Sequence, residues 1–118
     1  LNGKWADGFC PMGPSIVTAD AIGDPRDLSI RLTVNGEVRQ DSNTRHMIFD
    51  VYEMVSFVSH LMTLTPGDII ATGTPEGVGM GSGRLLNAGD VITAAIDGIG
   101  ELTVTLGERP EDFYTPCR

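Results

Sequence analysis

Leu28, Ile30, Leu32 and Val34 alternate with Ser29, Arg31 and Thr33, and the run then meets Asn35-Gly36. Alternation with a period of two puts all four apolar side chains on one face of a strand, whereas a helix would scatter them. Asn-Gly is the preferred pair for a two-residue type I′ turn, in which both central residues take positive φ. The pattern predicts a hairpin, with Glu37 to Asp41 as the returning strand.

A second stretch, Leu64 to Gly79, reads LTPGDIIATGTPEGVG. Pro66-Gly67-Asp68 is turn chemistry, since Pro presets φ and Gly accepts a positive φ. Ile69-Ile70-Ala71-Thr72 is apolar and partly β-branched, long enough for a short strand and too short for a helix. That strand would deliver Gly73-Thr74-Pro75-Glu76-Gly77 to its end. Gly73 permits close approach of another group, Thr74 offers a hydroxyl and an amide N–H, and Pro75 stiffens the backbone. Such a loop suits a small anion, though from these residues by themselves a loop that needs its glycines for geometry alone is the plainer reading.

The form of this turn recurs. Leu86-Asn87-Ala88-Gly89-Asp90-Val91-Ile92 repeats Leu64-Thr65-Pro66-Gly67-Asp68-Ile69-Ile70, and two copies are too few for a solenoid. They read as equivalent approaches to strands of one β-roll. Val91 to Ile96 turns at Asp97-Gly98 and returns as Glu101 to Leu106, a further hairpin. Ser15 to Thr18 is a short apolar strand, and Thr18-Ala19-Asp20 reads as a single turn. Between the hairpins Ile48, Val51, Met54, Val55, Val58, Leu61 and Met62 recur every three or four residues, which predicts a helix with one apolar stripe. Asp41 to Thr44 supplies capping oxygens before it, and Thr65-Pro66-Gly67 ends it. The fold class expected is mainly β with one amphipathic helix.

The chain has 118 residues, one domain at most, with 15 glycines and 7 prolines that fit a turn-rich β protein. Its formal charge of -8 repels a polyanion, so nucleic acid is excluded as a partner, and an anionic small molecule would need a local cation. No apolar run is long enough to span a bilayer, so no membrane partner is expected. Cys10 and Cys117 lie near opposite ends without metal-ligand spacing; they read as free thiols of a cytoplasmic protein, with a disulfide between them left open.

Several residues are candidates for chemistry. Lys4, the only lysine, lies in the loop Leu1 to Pro14, where Trp5 and Phe9 could cover its stem and present its head to a cleft; a solvated surface lysine is the plainer reading. His46, Asp50 and Glu53 fall on one helical row, but the spacing matches no specific metal motif and reads as a solvated face. Gly77 to Arg84 contains a GxGxxG-like run that fails as a dinucleotide fingerprint, because no βαβ unit surrounds it. Cys10 has no histidine near it in sequence and reads as a small buried residue rather than a nucleophile. Gly107 to Arg118 is polar, with Pro110 and Pro116, a tail or an interface strap.

Taken together, GKWADGFCPMGPSIVT, RLTVNGEVRQDSNTRHMIF and LTPGDIIATGTPEGVG resemble, in order and spacing, the C-terminal half of the fumarylacetoacetate hydrolase family. GVGMGSGRLLNAGDVITAAIDGIGE is most similar to members that hydrolyse 2,4-diketo deoxy-sugar acids, and to hydroxyheptadienedioate isomerases. The resemblance implies a mixed β-sandwich roll of that family's C-terminal type, with residues 1–118 the C-terminal part of a single catalytic domain. It implies a homodimer and a divalent metal, Mg²⁺ or Mn²⁺, that chelates a small anionic 2-oxo acid. On it, Lys4 matches the active-site lysine, and Thr74 with Gly73 matches the part that binds substrate carboxylate. The family's metal ligands, a Glu-x-Glu pair and a later aspartate, precede the Gly-Lys motif, as do its upstream glutamine and its His-Glu pair. The expectation is therefore no metal ligand in this chain and no turnover by it alone. A β-rich dimerisation module without substrate is the reading from another class.

Overall fold

The computed structural model describes residues 8–108. Its centre is a four-stranded antiparallel sheet ordered β2-β1-β3-β4, from strands β1 (Ser29–Val34), β2 (Glu37–Asn43), β3 (Val91–Ile96) and β4 (Gly100–Thr105). Both hairpins predicted from the sequence are present. Asn35 and Gly36 take φ of 51° and 82°, the pair of positive values a type I′ turn requires. Of the four alternating apolar side chains, Leu28 and Val34 are buried and Ile30 and Leu32 half-buried.

The turn of the first hairpin is tied to the start of the second. The Asn35 side chain donates to Asp90 Oδ1 and accepts from the Val91 amide, both at 2.8 Å, and the Asn35 amide donates to the Val91 carbonyl at 2.8 Å. At the other end of β1, the Leu28 amide donates to Thr44 Oγ1, and the Thr44 amide donates back to the Leu28 carbonyl, each at 2.9 Å.

The helix starts later than the sequence reading placed it. Asn43 caps only a single 3-10 turn, Thr44–His46, and the main helix α1 spans Val51–Leu61. Its cap is Asp50, whose Oδ1 accepts from the Tyr52 and Glu53 amides while Glu53 Oε2 accepts from the Asp50 amide at 2.8 Å, a reciprocal capping box. β2 runs through Asp41 to Asn43 instead, because those residues complete the ladder with Ser29 to Arg31. Val51, Met54 and Val58 form the half-buried row of α1, while Ile48, Val55, Leu61 and Met62 of the predicted stripe are exposed.

Two predicted strands are not strands here. Ser15 to Thr18 and Ile69 to Thr72 have no regular secondary structure and join no ladder among the described residues. A strand needs a neighbour for its N–H and C=O groups, and without one these segments leave Ile16 and Ile69 in solvent. The turn before Ile69 does form: the Asp68 side chain accepts from the Thr65 amide at 2.7 Å, as that of Asp90 accepts from the Asn87 amide at 2.8 Å. The repeat in the sequence is thus a repeat of turns, of which only the second feeds a strand. A four-residue helix, α2 (Gly79–Ser82), occupies the glycine-rich run that had failed as a dinucleotide fingerprint.

Candidate functional site

The loop Gly73 to Gly77 is fastened to β2 by one buried side chain. Gln40 donates through Nε2 to Thr74 Oγ1 at 2.9 Å, to the Pro75 carbonyl at 2.9 Å and to the Glu76 carbonyl at 3.1 Å. Gln40 is inward because β2 carries a bulge: Leu32 pairs with Gln40 and Thr33 with Val38, so Arg39 is the extra residue. Arg39 is half-buried and Gln40 buried beside it.

Glycine serves this loop at two positions for different reasons. Gly77 has φ of 100°, and a Cβ there would meet the Arg39 carbonyl oxygen at 2.0 Å, so the loop can lie this close to β2 only without a side chain. Gly73 has φ of 94° but nothing within 4 Å of its would-be Cβ. The close approach to backbone that the sequence suggested at Gly73 is made, among the described residues, at Gly77.

Thr74 stands exposed at the edge of a cleft of about 610 Å³. Thr72 to Glu76 form one wall; Ser42, Thr44, His46, Phe49 and Met54 contribute to the other. His46 Nδ1 lies 3.4 Å from Ser42 Oγ, a long contact that orients the ring loosely. Glu76 is the one carboxylate on the lining and no lysine or arginine is on it, so the described residues bring no permanent positive charge to the cleft. Lys4 and Trp5 lie outside the described residues, as do Cys117 and 109–118 of the tail. Phe9 is exposed, and so is Cys10, a free thiol rather than the buried small residue expected.

Carboxyl groups whose titration the fold shifts lie away from the cleft lining. Hydrogen bonds from Arg26, Arg45 and Arg84 hold Asp24, Asp27 and Glu37 respectively below their ordinary values. The Asn87 amide, and after it the Asn35 side chain, do the same for Asp90. Asp50 and Glu53 are engaged in the capping box, and no group of three His, Cys, Asp or Glu among the described residues is placed to hold a metal ion. The donor set for a divalent ion is thus not met by these residues. What the site offers is a firmly held hydroxyl at the mouth of a mainly apolar cleft. Sequence reasoning singled out Thr74 and gave no sign of Gln40, which the structure places behind it.

No helix among the described residues is long and apolar enough to cross a membrane. Residues 1–107 match the family described as fumarylacetoacetate (FAA) hydrolase C-terminal. The chain is 50% identical over 102 residues to a 2,4-didehydro-3-deoxy-L-rhamnonate hydrolase of Sphingomonas sp. (strain SKA58), covering 84% of this chain and 36% of that protein. It is 46% identical over 105 residues to a mitochondrial oxaloacetate tautomerase of Xenopus laevis, covering 87% of this chain and 33% of that one. Among solved structures, a maleylpyruvate hydrolase from Sphingobium sp. SYK-6 in complex with manganese (II) ion and pyruvate superposes with a TM-score of 0.78 at 49% identity, over 84% of this chain and 36% of that one. The chain spans about two fifths or less of the length of these relatives.

Proposed function

The chain belongs to the fumarylacetoacetate hydrolase family, and on that premise we propose that it is the C-terminal part of one catalytic domain acting on a small 2-oxo acid. The reaction proposed is hydrolytic or lyase cleavage of a carbon-carbon bond in an acylpyruvate-like or 2,4-diketo acid. The observation that carries this reading is Thr74, exposed at the mouth of the cleft yet fixed from behind by buried Gln40. A hydroxyl so held can donate to a carboxylate oxygen without first losing rotational freedom. The relatives support the substrate class: rhamnonate-derived diketo acid, oxaloacetate and maleylpyruvate all place a carboxylate beside a carbonyl carbon.

Cleavage and tautomerisation of such acids share an enolate, so one arrangement serves both. In the proposed division of labour Thr74 and the Gly73 backbone hold the carboxylate, and the Lys4 ammonium offsets charge on the enolate oxygen. Mg²⁺ or Mn²⁺ is part of the proposal through the relative that binds manganese and pyruvate; when bound, such an ion supplies Lewis acidity toward the 2-oxo acid. Its ligands would come from outside the described residues.

Isomerisation or decarboxylation of related oxo acids is the alternative within the family, favoured by the likeness to an oxaloacetate tautomerase. A non-catalytic module is favoured only by the exposed apolar side chains, such as Ile16, Ile48 and Met80. The same exposure on α1, at Tyr52, Val55, Phe57 and Leu61, supports a homodimer, which a monomer mass in light scattering of the whole protein would contradict. A cytoplasmic location, supported by free Cys10, would be overturned by recovery in an organelle fraction.

The test is turnover by the whole protein on a panel of acylpyruvates, 2,4-diketo sugar acids and oxaloacetate, with Mg²⁺ or Mn²⁺ supplied. Cleavage of one acylpyruvate or diketo acid well above the rest supports the proposal. Keto-enol exchange or decarboxylation without cleavage selects the alternative, and inactivity throughout favours the module.

A further inference from the structure

Gln40 is the polar side chain in the buried set of the described residues, 8% exposed, and all three of its contacts run to the Thr74 loop. The chemistry of those contacts determines the polarity of Thr74. Carbonyl oxygens of Pro75 and Glu76 can only accept, so the amide nitrogen of Gln40, and not its oxygen, must face them. An amide nitrogen has no lone pair to accept with, so Thr74 Oγ1, 2.9 Å away, is the accepting partner of that contact, the two amide protons being shared among it and the two carbonyls. The proton of the Thr74 hydroxyl is then left to point elsewhere, and the residue stands exposed at the cleft.

We propose that Gln40 is a positioning residue that occupies one lone pair of Thr74 Oγ1 from the β2 side and leaves the hydroxyl proton available to an anionic oxygen in the cleft. The inference rests on the reading of Thr74 as a substrate-binding residue and extends it to a residue 34 positions away in sequence. The bulge at Arg39 is what turns Gln40 toward the loop.

Reversing the polarity tests it. Gln40→Glu keeps the length of the side chain but puts a carboxylate behind Thr74 that would take the hydroxyl proton. In the whole protein, KM for the oxo acid should rise about tenfold at pH 8, the scale of one hydrogen bond to a charged group, with kcat unchanged within about twofold. KM should recover as pH falls toward 5 and the introduced carboxyl gains its proton. Gln40→Met, which removes the donor without adding charge, serves if the first variant does not fold; its KM should rise about threefold to tenfold. Each variant is also made in a Thr74→Val background, where either change at Gln40 should alter KM by less than about twofold. KM effects that multiply in the double variants would show that Gln40 acts only on loop stability, and would overturn the inference. Unaltered KM in the single Gln40 variants would overturn it too. An unaltered KM in Thr74→Val alone would instead remove the substrate-binding reading on which it rests.

Discussion

The carbonyl oxygen of Arg39 lies 2.0 Å from where a Cβ on Gly77 would be, so the bulge of β2 and the end of the Thr74 loop are in backbone contact. Gly77→Ala therefore meets two obstacles, a φ of 100° and a backbone atom that cannot turn aside. Unfolding of the whole protein in urea should show a loss of about 2 kcal/mol or more. Gly73→Ala, with a φ of 94° in open space, should lose only about 1 kcal/mol. Equal losses at the two positions would mean that the loop is not seated on β2 as described.

Thr74→Val removes the hydroxyl and keeps the shape. If that group binds the substrate carboxylate, KM should rise about tenfold to a hundredfold, the span of hydrogen bonds to charged groups, and stability should fall by only about 1 kcal/mol, because Gln40 loses one acceptor and keeps the Pro75 and Glu76 carbonyls. Steady-state kinetics beside a thermal melt separates the two effects. A wild-type KM would remove Thr74 from the site.

Asn35→Ala keeps a residue in the turn but deletes the side-chain bonds to Asp90 and Val91. The loss should be about 1–3 kcal/mol, since it combines two hydrogen bonds with a position at φ of 51° that favours Asn. Asn35→Gly, which relieves φ but not the bonds, should recover part of it. Denaturation midpoints of the two variants make the comparison, and a wild-type midpoint for Asn35→Ala would refute the tie between the hairpins.

Acid should loosen the sheet in a definite window. Asp24, Asp27 and Asp90 are held below their ordinary 3.8, and Glu37 below 4.5. A lowered value means that the fold favours the charged form. Its contribution is full above the ordinary values and is lost as pH falls through the lowered ones. These groups are exposed, so each effect is small and screened by salt. The thermal midpoint should stay level down to about pH 5 and drop below about pH 4, less steeply in high salt. A midpoint that rose on acidification would contradict the assignment.

Asp50→Ala should cost the helix about 1 kcal/mol, and Asp50→Ser less, because serine still accepts from the amides at the helix start. Circular dichroism melts would show it. This position also marks what the sequence did and did not disclose. The first hairpin was legible because alternation from Leu28 to Val34 and Asn35-Gly36 are local signals that agree. The start of α1 was misplaced although Asp50 and Glu53 spell a capping box, because the oxygens of Asp41 to Thr44 come earlier and Asn43 caps a turn of its own. Ile69 to Thr72 looked like a strand from composition, yet a strand is a property of a pair, and no partner for it lies among the described residues. Thr74 stood out through its flanking glycines. Gln40 did not, because its role depends on a bulge and on a contact across 34 residues, neither of which leaves a local pattern. Lys4 stood out as the only lysine, took its role from the family resemblance, and lies outside the described residues.

The most direct test of the account is a calorimetric titration of Mn²⁺, with and without pyruvate, into the 118-residue chain and into a version extended upstream. The account predicts metal binding by the longer protein alone, with pyruvate binding that needs the metal and is weakened by Thr74→Val. Stoichiometric Mn²⁺ binding by the 118-residue chain itself would contradict it, since no group of three His, Cys, Asp or Glu among the described residues is placed to hold a metal ion.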